Sequence, residues 1–430
     1  MNLLRLSWKN LTFKPLNALL SVLLFALSIG LISLLLSLRE QADEQFDNNL
    51  AGIDLVVGAK GSPLELTLNS MYHVGYATGN IKIGQIKAFF NPKHPIVEDV
   101  VPLSVGDSYR GYRIVGTIPK ILDWYGAELG SGALWQHDFE VVVGEEVARV
   151  NNLKPGDKFK SNHGIIDEGD ENNIEHDDDF TVVGILAPSG TVMDQLVLTT
   201  NQTYWHSHEG HDDAAAGHDD HDHAGHDHAG HNHSEDHPPA SLMEEDPEKE
   251  ITSLLVRYRN ASNFQALSFP RNLNENTELL AANPAYEISE VRRQFDSGQR
   301  ILGVLVLVIT IVSALSIFIA LFTSLRERRY ELALMRTMGA GRGKLFVLII
   351  LEGLMVAVIG YVLGLLLSHG IMALLAANVQ DDFRYTISAT RFLAEEGYLF
   401  AAALFIGFLA AVIPAVQASR TDIAETLTEG

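Results

Sequence analysis

The sequence predicts an α-helical membrane protein: four transmembrane helices, with a large α+β extracytoplasmic domain inserted between helices 1 and 2. Three observations carry that prediction. Four apolar runs, Leu16–Leu38, Ile301–Thr323, Leu345–Ser368 and Tyr398–Val416, are each 19–24 residues long. That length crosses a hydrocarbon core of roughly 30 Å as a helix, which satisfies its own backbone in lipid. The runs contain a single charged residue, Glu352. Between the first run and the second lie about 260 mostly polar residues, in which short β-like stretches alternate with Gly and Pro. Finally, charge is segregated: residues 40–296 hold 17 Lys+Arg against 44 Asp+Glu, a net of −27, while the rest of the chain is +4.

The charge pattern sets the expected orientation. Arg5, Lys9 and Lys14 precede the first run, and Arg326, Arg328, Arg329, Arg336, Arg342 and Lys344 lie between the second and third. Asp381, Asp382, Glu395 and Glu396 lie between the third and fourth. Short basic loops face the cytoplasm, so both termini are expected inside and the acidic domain outside. The absence of cysteine excludes a disulfide framework and thiolate chemistry. Net acidity argues against nucleic acid as a partner.

Taken in order, residues 1–15 read as an amphipathic helix on the inner membrane surface, mixing Leu3, Leu4, Leu6, Trp8 and Leu11 with Arg5 and Lys9. Pro15 marks a bend into helix 1 (16–38), whose length exceeds a signal-peptide core and reads as an uncleaved anchor. The outer domain, 39–299, shows strand-like runs at 53–57, 112–116, 139–143, 180–186, 196–198 and 251–258, with turns at 151–152 and 154–157. Its topology does not follow from these runs. Two blocks, 162–179 and 206–237, are too polar to build a core, and their composition predicts mobile acidic and His-rich loops. A helix-period stretch, 285–300, leads into helix 2 (300–323). The cytoplasmic segment 324–344 favours a helix over 325–338, with Leu325, Leu332, Met335 and Met338 on one face, ended by Gly339, Gly341 and Gly343. Helix 3 (345–368), a short external loop (369–397), helix 4 (398–416) and a cytoplasmic tail (417–430) complete the chain.

The second polar block gathers His206, His208, His211, His218, His221, His223, His226, His228, His231, His233 and His237, partly as a His-Asp-His repeat. Imidazole beside carboxylate is a ligand set for zinc, and also for nickel or copper. A metal-related role in sensing, buffering or delivery stands beside the plainer reading of a solvated low-complexity loop. No H-E-x-x-H spacing supports a catalytic zinc. The string Gly339–Leu345 fails as a phosphate loop, because Met338 stands where the first glycine belongs and Leu345 where a Ser/Thr would hold magnesium.

Three further features have two readings each. The basic helix at 325–338 either anchors to anionic lipid or docks a cytoplasmic protein. Gly360 and Gly364 form a small-xxx-small face for packing within the chain or between copies. Glu352 is a functional candidate as an intramembrane carboxylate, but snorkelling or pairing with an arginine of the basic loop is the favoured reading. His369 reads as interfacial.

The stretch Arg326-Glu-Arg-Arg-Tyr-Glu-Leu-Ala-Leu-Met-Arg-Thr-Met-Gly-Ala340, followed by Leu351-Glu-Gly353, resembles permeases of the MacB/FtsX superfamily of ABC transporters (type VII, including lipoprotein-release and macrolide-exporter-like permeases). The ending Pro414-Ala-Val-Gln-Ala-Ser-Arg-Thr-Asp-Ile-Ala-Glu-Thr-Leu427 and the opening Leu6-Ser-Trp-Lys-Asn-Leu11 are similar to the family's termini. The resemblance is specific over 326–353, moderate at the termini and loose in the outer domain. It implies an FtsX-like permease domain over 300–427 and a MacB-like periplasmic core domain within 39–299, in a bacterial inner membrane. It also implies a permease homodimer or paired permease that binds a separate cytoplasmic ABC ATPase. ATP would then act through that subunit, and the chain itself would be no enzyme. Glu327, Arg328, Arg329, Glu331 and Arg336 would lie near the ATPase, whose closure would move the periplasmic domains by mechanotransmission.

The implied function is export or extraction of a hydrophobic, peptide or lipoprotein-like cargo, with a metal link suggested by the histidine insertion and a periplasmic partner as a further expectation. The alternative is a non-transport mechanotransmitter that activates an envelope enzyme, its His-rich loop serving as zinc sensor or buffer. A direct zinc carrier fits poorly, because the spans offer only Glu352 and His369 as ligands.

Overall fold

The computed structural model of the protein describes residues 3–13, 15–164, 175–208, 245–383 and 388–420. The chain forms two compact units, Met1–Asp43 with Arg293–Gly430, and Glu44–Arg292. It opens with helices α1 (Leu3–Phe13) and α2 (Pro15–Leu50). The second unit contributes strands β1 (Leu55–Ala59), β2 (Ile81–Lys82), β3 (Val97–Tyr109), β4 (Tyr112–Gly116), β5 (Leu129–Gly132) and β6 (Glu140–Val143). It continues with β7 (Lys158–His163), β8 (Glu175–Leu186), β9 (Val197–Thr199), β10 (Glu250–Ile251), β11 (Ser253–Tyr258) and β12 (Leu279–Ala282). Helices α3 (Pro63–Met71), α4 (Ile83–Ile86), α5 (Lys120–Tyr125), α6 (Glu145–Asn151), α7 (Asn201–His208) and α8 (Phe264–Asn276) lie between them. The chain then runs through α9 (Pro284–Glu327), α10 (Arg329–Thr337), α11 (Arg342–Phe383) and α12 (Ala394–Arg420).

Ten strands of the second unit form one mixed sheet in the order β12-β1-β11-β3-β4-β9-β6-β8-β5, with β7 paired to β3 and β8. Two pairs, β4–β9 and β6–β8, are parallel, and the rest are antiparallel. Side chains alternate across a strand, and both faces of this sheet are covered. Val56, Val115, Val142 and Leu255 enter one core. Their neighbours Leu55, Val57, Leu254 and Val256 enter a second core on the other face. Further along that opposite face, Ile114, Val141 and Val143 enter a third. Double burial explains why these strands read as continuous apolar runs rather than alternating ones.

Strand β3 joins the two halves: its first part pairs with β11, and from Ser104 onward it pairs with β4, with a register shift between Val105 and Ser108 where β7 also pairs with it. Pro102 lies opposite Leu254 in β11, at a position where β3 has no partner on its other side. Its missing N–H therefore breaks no ladder. At the start of α3, Ser62 accepts from the Glu65 N–H (3.4 Å) and Pro63 takes the first helical position.

Among the described residues, four helices are long and apolar enough to cross a membrane: those in Ala18–Leu50, Pro284–Glu327, Arg342–Ala376 and Ala394–Arg420. Each extends past the apolar run that announced it. Close backbone approach packs α11 on α2. A Cβ at Gly364 would lie 2.8 Å from the Ala26 carbonyl oxygen, and one at Gly360 would lie 2.7 Å from the Phe25 ring. The small-residue face is therefore occupied within the chain. Hydroxyls tie α2 to α9, with Ser28 Oγ 2.5 Å from Thr310 Oγ1 and Ser313 Oγ donating to the Leu24 carbonyl at 2.9 Å.

Candidate functional site

The helix expected over 325–338 is two helices joined at an elbow. α9 ends at Glu327, Arg328 leaves helical geometry (φ −106°, ψ 17°), and α10 starts at Arg329. The side chain of Arg328 explains the break. It turns inward, with 11% exposure, and donates from Nε to Glu331 Oε2 (3.0 Å) and from Nη1 to Glu352 Oε1 (3.5 Å). Glu352 on α11 is 3% exposed, and the same oxygen accepts from Asn10 Nδ2 of α1 at 2.5 Å. One carboxylate thus gathers α1, the elbow and α11, joining residues 342 positions apart. The pairing with a basic-loop arginine is the one favoured from sequence; the Asn10 contact is not legible there. A cavity of about 50 Å³ lies beside this junction, lined in part by Asn10, Leu11, Ser324, Glu327, Glu352 and Val356.

The outer surface of α10 has a different chemistry. Leu325, Leu332 and Ala333 are buried and Met335 is half-buried, but Met338 is 73% exposed, contrary to the expected grouping. Tyr330 (53%), Leu334 (46%) and Met338 form an exposed stripe at i, i+4 and i+8, one face of a helix. Arg329 and Glu331 flank it on the surface, and Arg336 is half-buried. Gly339 (φ +96°) ends the helix, while Gly343, expected among the terminating glycines, falls inside α11. The sequence signal that finds the stripe is the spacing 330/334/338; that α10 begins anew at 329 decides which face it is.

A second buried cluster lies seventeen residues further along α11, roughly 25 Å at 1.5 Å per residue. Glu396 of α12 accepts from Ser33 Oγ of α2 at 2.9 Å and sits 3.3 Å from His369 Nε2. His369 Nδ1 donates to the Ala389 carbonyl at 2.9 Å. His369 is therefore part of a three-helix contact rather than merely interfacial. The two polar clusters bracket an apolar stretch close to the thickness of a hydrocarbon core.

In the sheet unit, His206 and His208 on α7 each face an aspartate: His206 Nδ1 lies 3.0 Å from Asp138 Oδ2, and His208 Nε2 lies 3.4 Å from Asp107 Oδ1. His211, His218, His221, His223, His226, His228, His231, His233 and His237 lie outside the described residues, as does most of the block 162–179. Among the described residues, no group of three or more His, Cys, Asp or Glu is placed to hold a metal.

Comparison with known proteins decides what this architecture is. Residues 18–267 match the MacB-like periplasmic core domain, more than half of the chain, and residues 303–423 match the FtsX-like permease C-terminal. The chain belongs to the MacB/FtsX-like permease family. It is 28% identical over 145 residues to the macrolide export ATP-binding/permease protein MacB 1/2 of Paracoccus denitrificans, a match covering 33% of this chain and 21% of that relative. The chain thus spans about a fifth of the length of that curated relative. Its fold is compared with two solved structures. The periplasmic region of MacB from Actinobacillus actinomycetemcomitans matches with TM-score 0.32 and 12% identity, covering 57% of this chain and 96% of that one. The extracellular domain of the noncanonic ABC-type transporter YknZ from Gram-positive bacteria matches with TM-score 0.28 and 12% identity, covering 54% and 99%. Family membership and four span-capable helices make this MacB/FtsX-like permease a multi-pass membrane protein.

Proposed function

We propose that this permease is the membrane subunit of an ABC transporter in a bacterial inner membrane, driven by a separate cytoplasmic ATPase that docks on α10. The observation that carries this reading is the two-sided chemistry of the elbow. Its outer face offers Tyr330, Leu334 and Met338 between Arg329 and Glu331, and its inner face is pinned by Arg328 to Glu352. An apolar stripe edged by charge is what a helix presents to a groove on a partner. A push on α10 then reaches α11 and α1 through one buried carboxylate, and the sheet unit, on the outer side, does the work on a hydrophobic, peptide or lipoprotein-like cargo. Within this reading Arg328 acts as a pin, while Arg329, Glu331 and the apolar stripe meet the ATPase.

A second copy of the permease completes the assembly. The apolar residues of α9, including Ile301, Leu305, Val308, Val312, Leu315 and Ile319, are exposed and supply a face for it. The metal-linked part of the reading rests on the composition of the histidine tract.

Co-purification from detergent tests the docking. Leu334→Glu with Arg329→Glu should release the ATPase while the permease melts as the wild type does. Retention of the ATPase by a folded double variant would refute docking on α10.

A further inference from the structure

The sheet unit contains a cleft of about 500 Å³ that the elbow does not use, within the range of roughly 300–1,000 Å³ typical of small-molecule sites. It opens where two cores meet: Phe89 and Val100 belong to one, and Trp135 to the other. Its edge is held in place. The Phe89 ring stacks on His94 (6.1 Å, 7° between planes), and Arg259 donates to the carbonyls of Pro92 (2.7 Å) and His94 (3.2 Å). A wall fixed in this way loses little entropy on binding a ligand.

The lining defines what fits. Phe89, Phe90, Ile118 and Trp135 are apolar. Thr117 is 2% exposed, and its Oγ1 has no hydrogen-bond partner among the described residues, although its backbone N–H is used by the Thr199 carbonyl at 2.8 Å. An unpaired buried hydroxyl is costly, but this one lies behind the cleft wall, out of reach of a ligand, so the apolar side chains make the contacts. At the rim, Asp99 and Lys120 neutralise each other at 2.5 Å, which leaves the exposed Glu98 as the uncompensated charge. The segment around it, residues 40–296, is net −27, a field that draws cations and repels anions.

We propose that this cleft binds a cationic amphiphile: an aromatic or branched apolar body that packs on Phe89, Phe90, Ile118 and Trp135, and a protonated amine at the rim beside Glu98. The assignment rests on the reading that the sheet unit meets the cargo, and it names that cargo's chemistry. An anion of the same shape is repelled by Glu98. A purely hydrocarbon ligand leaves Glu98 without a counter-charge.

Calorimetric titration of the full chain in nanodiscs tests it, with tryptamine as the probe and indole-3-propionate as the matched anion. Tryptamine should bind at least about tenfold more tightly than the anion, a difference of about 1.4 kcal/mol. Glu98→Gln should erase that preference, and Ile118→Trp, which intrudes on the apolar wall, should weaken binding several-fold. Equal binding of both probes, or unchanged tryptamine binding by a folded Ile118→Trp variant, would overturn the assignment. Binding with the expected variant pattern but no effect on the ATP turnover of an attached ATPase supports the site and removes the cargo reading instead.

Discussion

Removing Glu352 is the sharpest perturbation of the helical unit. Its carboxylate, 3% exposed, holds Asn10 Nδ2 at 2.5 Å and Arg328 Nη1 at 3.5 Å. Glu352→Ala strands a guanidinium that is itself only 11% exposed. Breaking one side of a buried ion pair costs about 3–5 kcal/mol, because the surviving charge is left uncompensated. Here the lower end applies, since Arg328 keeps its 3.0 Å contact with Glu331, whose side chain is 58% exposed. The same reasoning says that deleting both charges costs less than deleting one. Glu352→Ala/Arg328→Met should therefore melt above Glu352→Ala, with a coupling energy of about 1–3 kcal/mol in the double-mutant cycle. The assay is thermal or denaturant unfolding of the solubilised full chain. A cycle that closes additively would show that the two side chains do not hold each other, and the elbow would lose its pin.

Other predictions follow from single observations. Gly364→Val forces a Cβ to within 2.8 Å of the Ala26 carbonyl oxygen, so it should destabilise by about 1–3 kcal/mol by overpacking. Gly370→Ala, with nothing within 4 Å of its new Cβ, should stabilise α11 by about 0.5–1 kcal/mol; the two melting temperatures must move in opposite directions. In the sheet unit, burial and then the Arg113 charge push the His73 imidazole down to about 3 from 6.5. Its stabilising effect is complete above pH 6.5 and is lost as the pH falls towards 3, because the unfolded chain binds the proton first. His73→Asn, a residue that tolerates the φ of +53° found there, should flatten the pH dependence of melting between those values. An unchanged profile would mean that His73 is not the group responsible. The chain has no cysteine, so Leu305→Cys gives a clean test of the α9 face: oxidation should yield a disulfide-linked permease dimer in membranes, and a monomer only would refute that interface.

Much of the helical unit was legible because lipid leaves few choices: an apolar run of membrane length has to be a helix. The carboxylate in the third run also announced a partner, since an unpaired Glu352 at that depth is too costly to keep. What remained hidden was long-range or local in ways that periodicity does not carry. Asn10 meets Glu352 across 342 positions, and nothing in Ser7-Trp-Lys-Asn-Leu-Thr12 marks it. The break at Arg328 comes with an inward hydrogen bond rather than a Gly or Pro, so the sequence predicts a continuous helix and groups Met338 with the buried residues, whereas it is exposed. In the sheet unit, apolar strands such as 53–57 and 180–186 stood out because both faces are buried. Strand β3 did not, because Asp99, Pro102, Gly106 and Asp107 interrupt its pattern. The order β12-β1-β11-β3 depends on pairings about 150 to 226 residues apart. The cleft by Thr117 arises only once α5 and the turn at 87–90 are brought together.

The account's central claim is that ATP on one side of the membrane moves the sheet unit through the elbow. Spin labels at Val150→Cys, an exposed site on the sheet unit, report that movement between two copies of the permease in the complex with its ATPase. Electron-spin distance measurement should give a different inter-label distance with ATP bound than without it, and Glu352→Ala should abolish the difference while the ATPase stays attached. The same distance distribution with and without ATP in the wild-type complex would contradict the account.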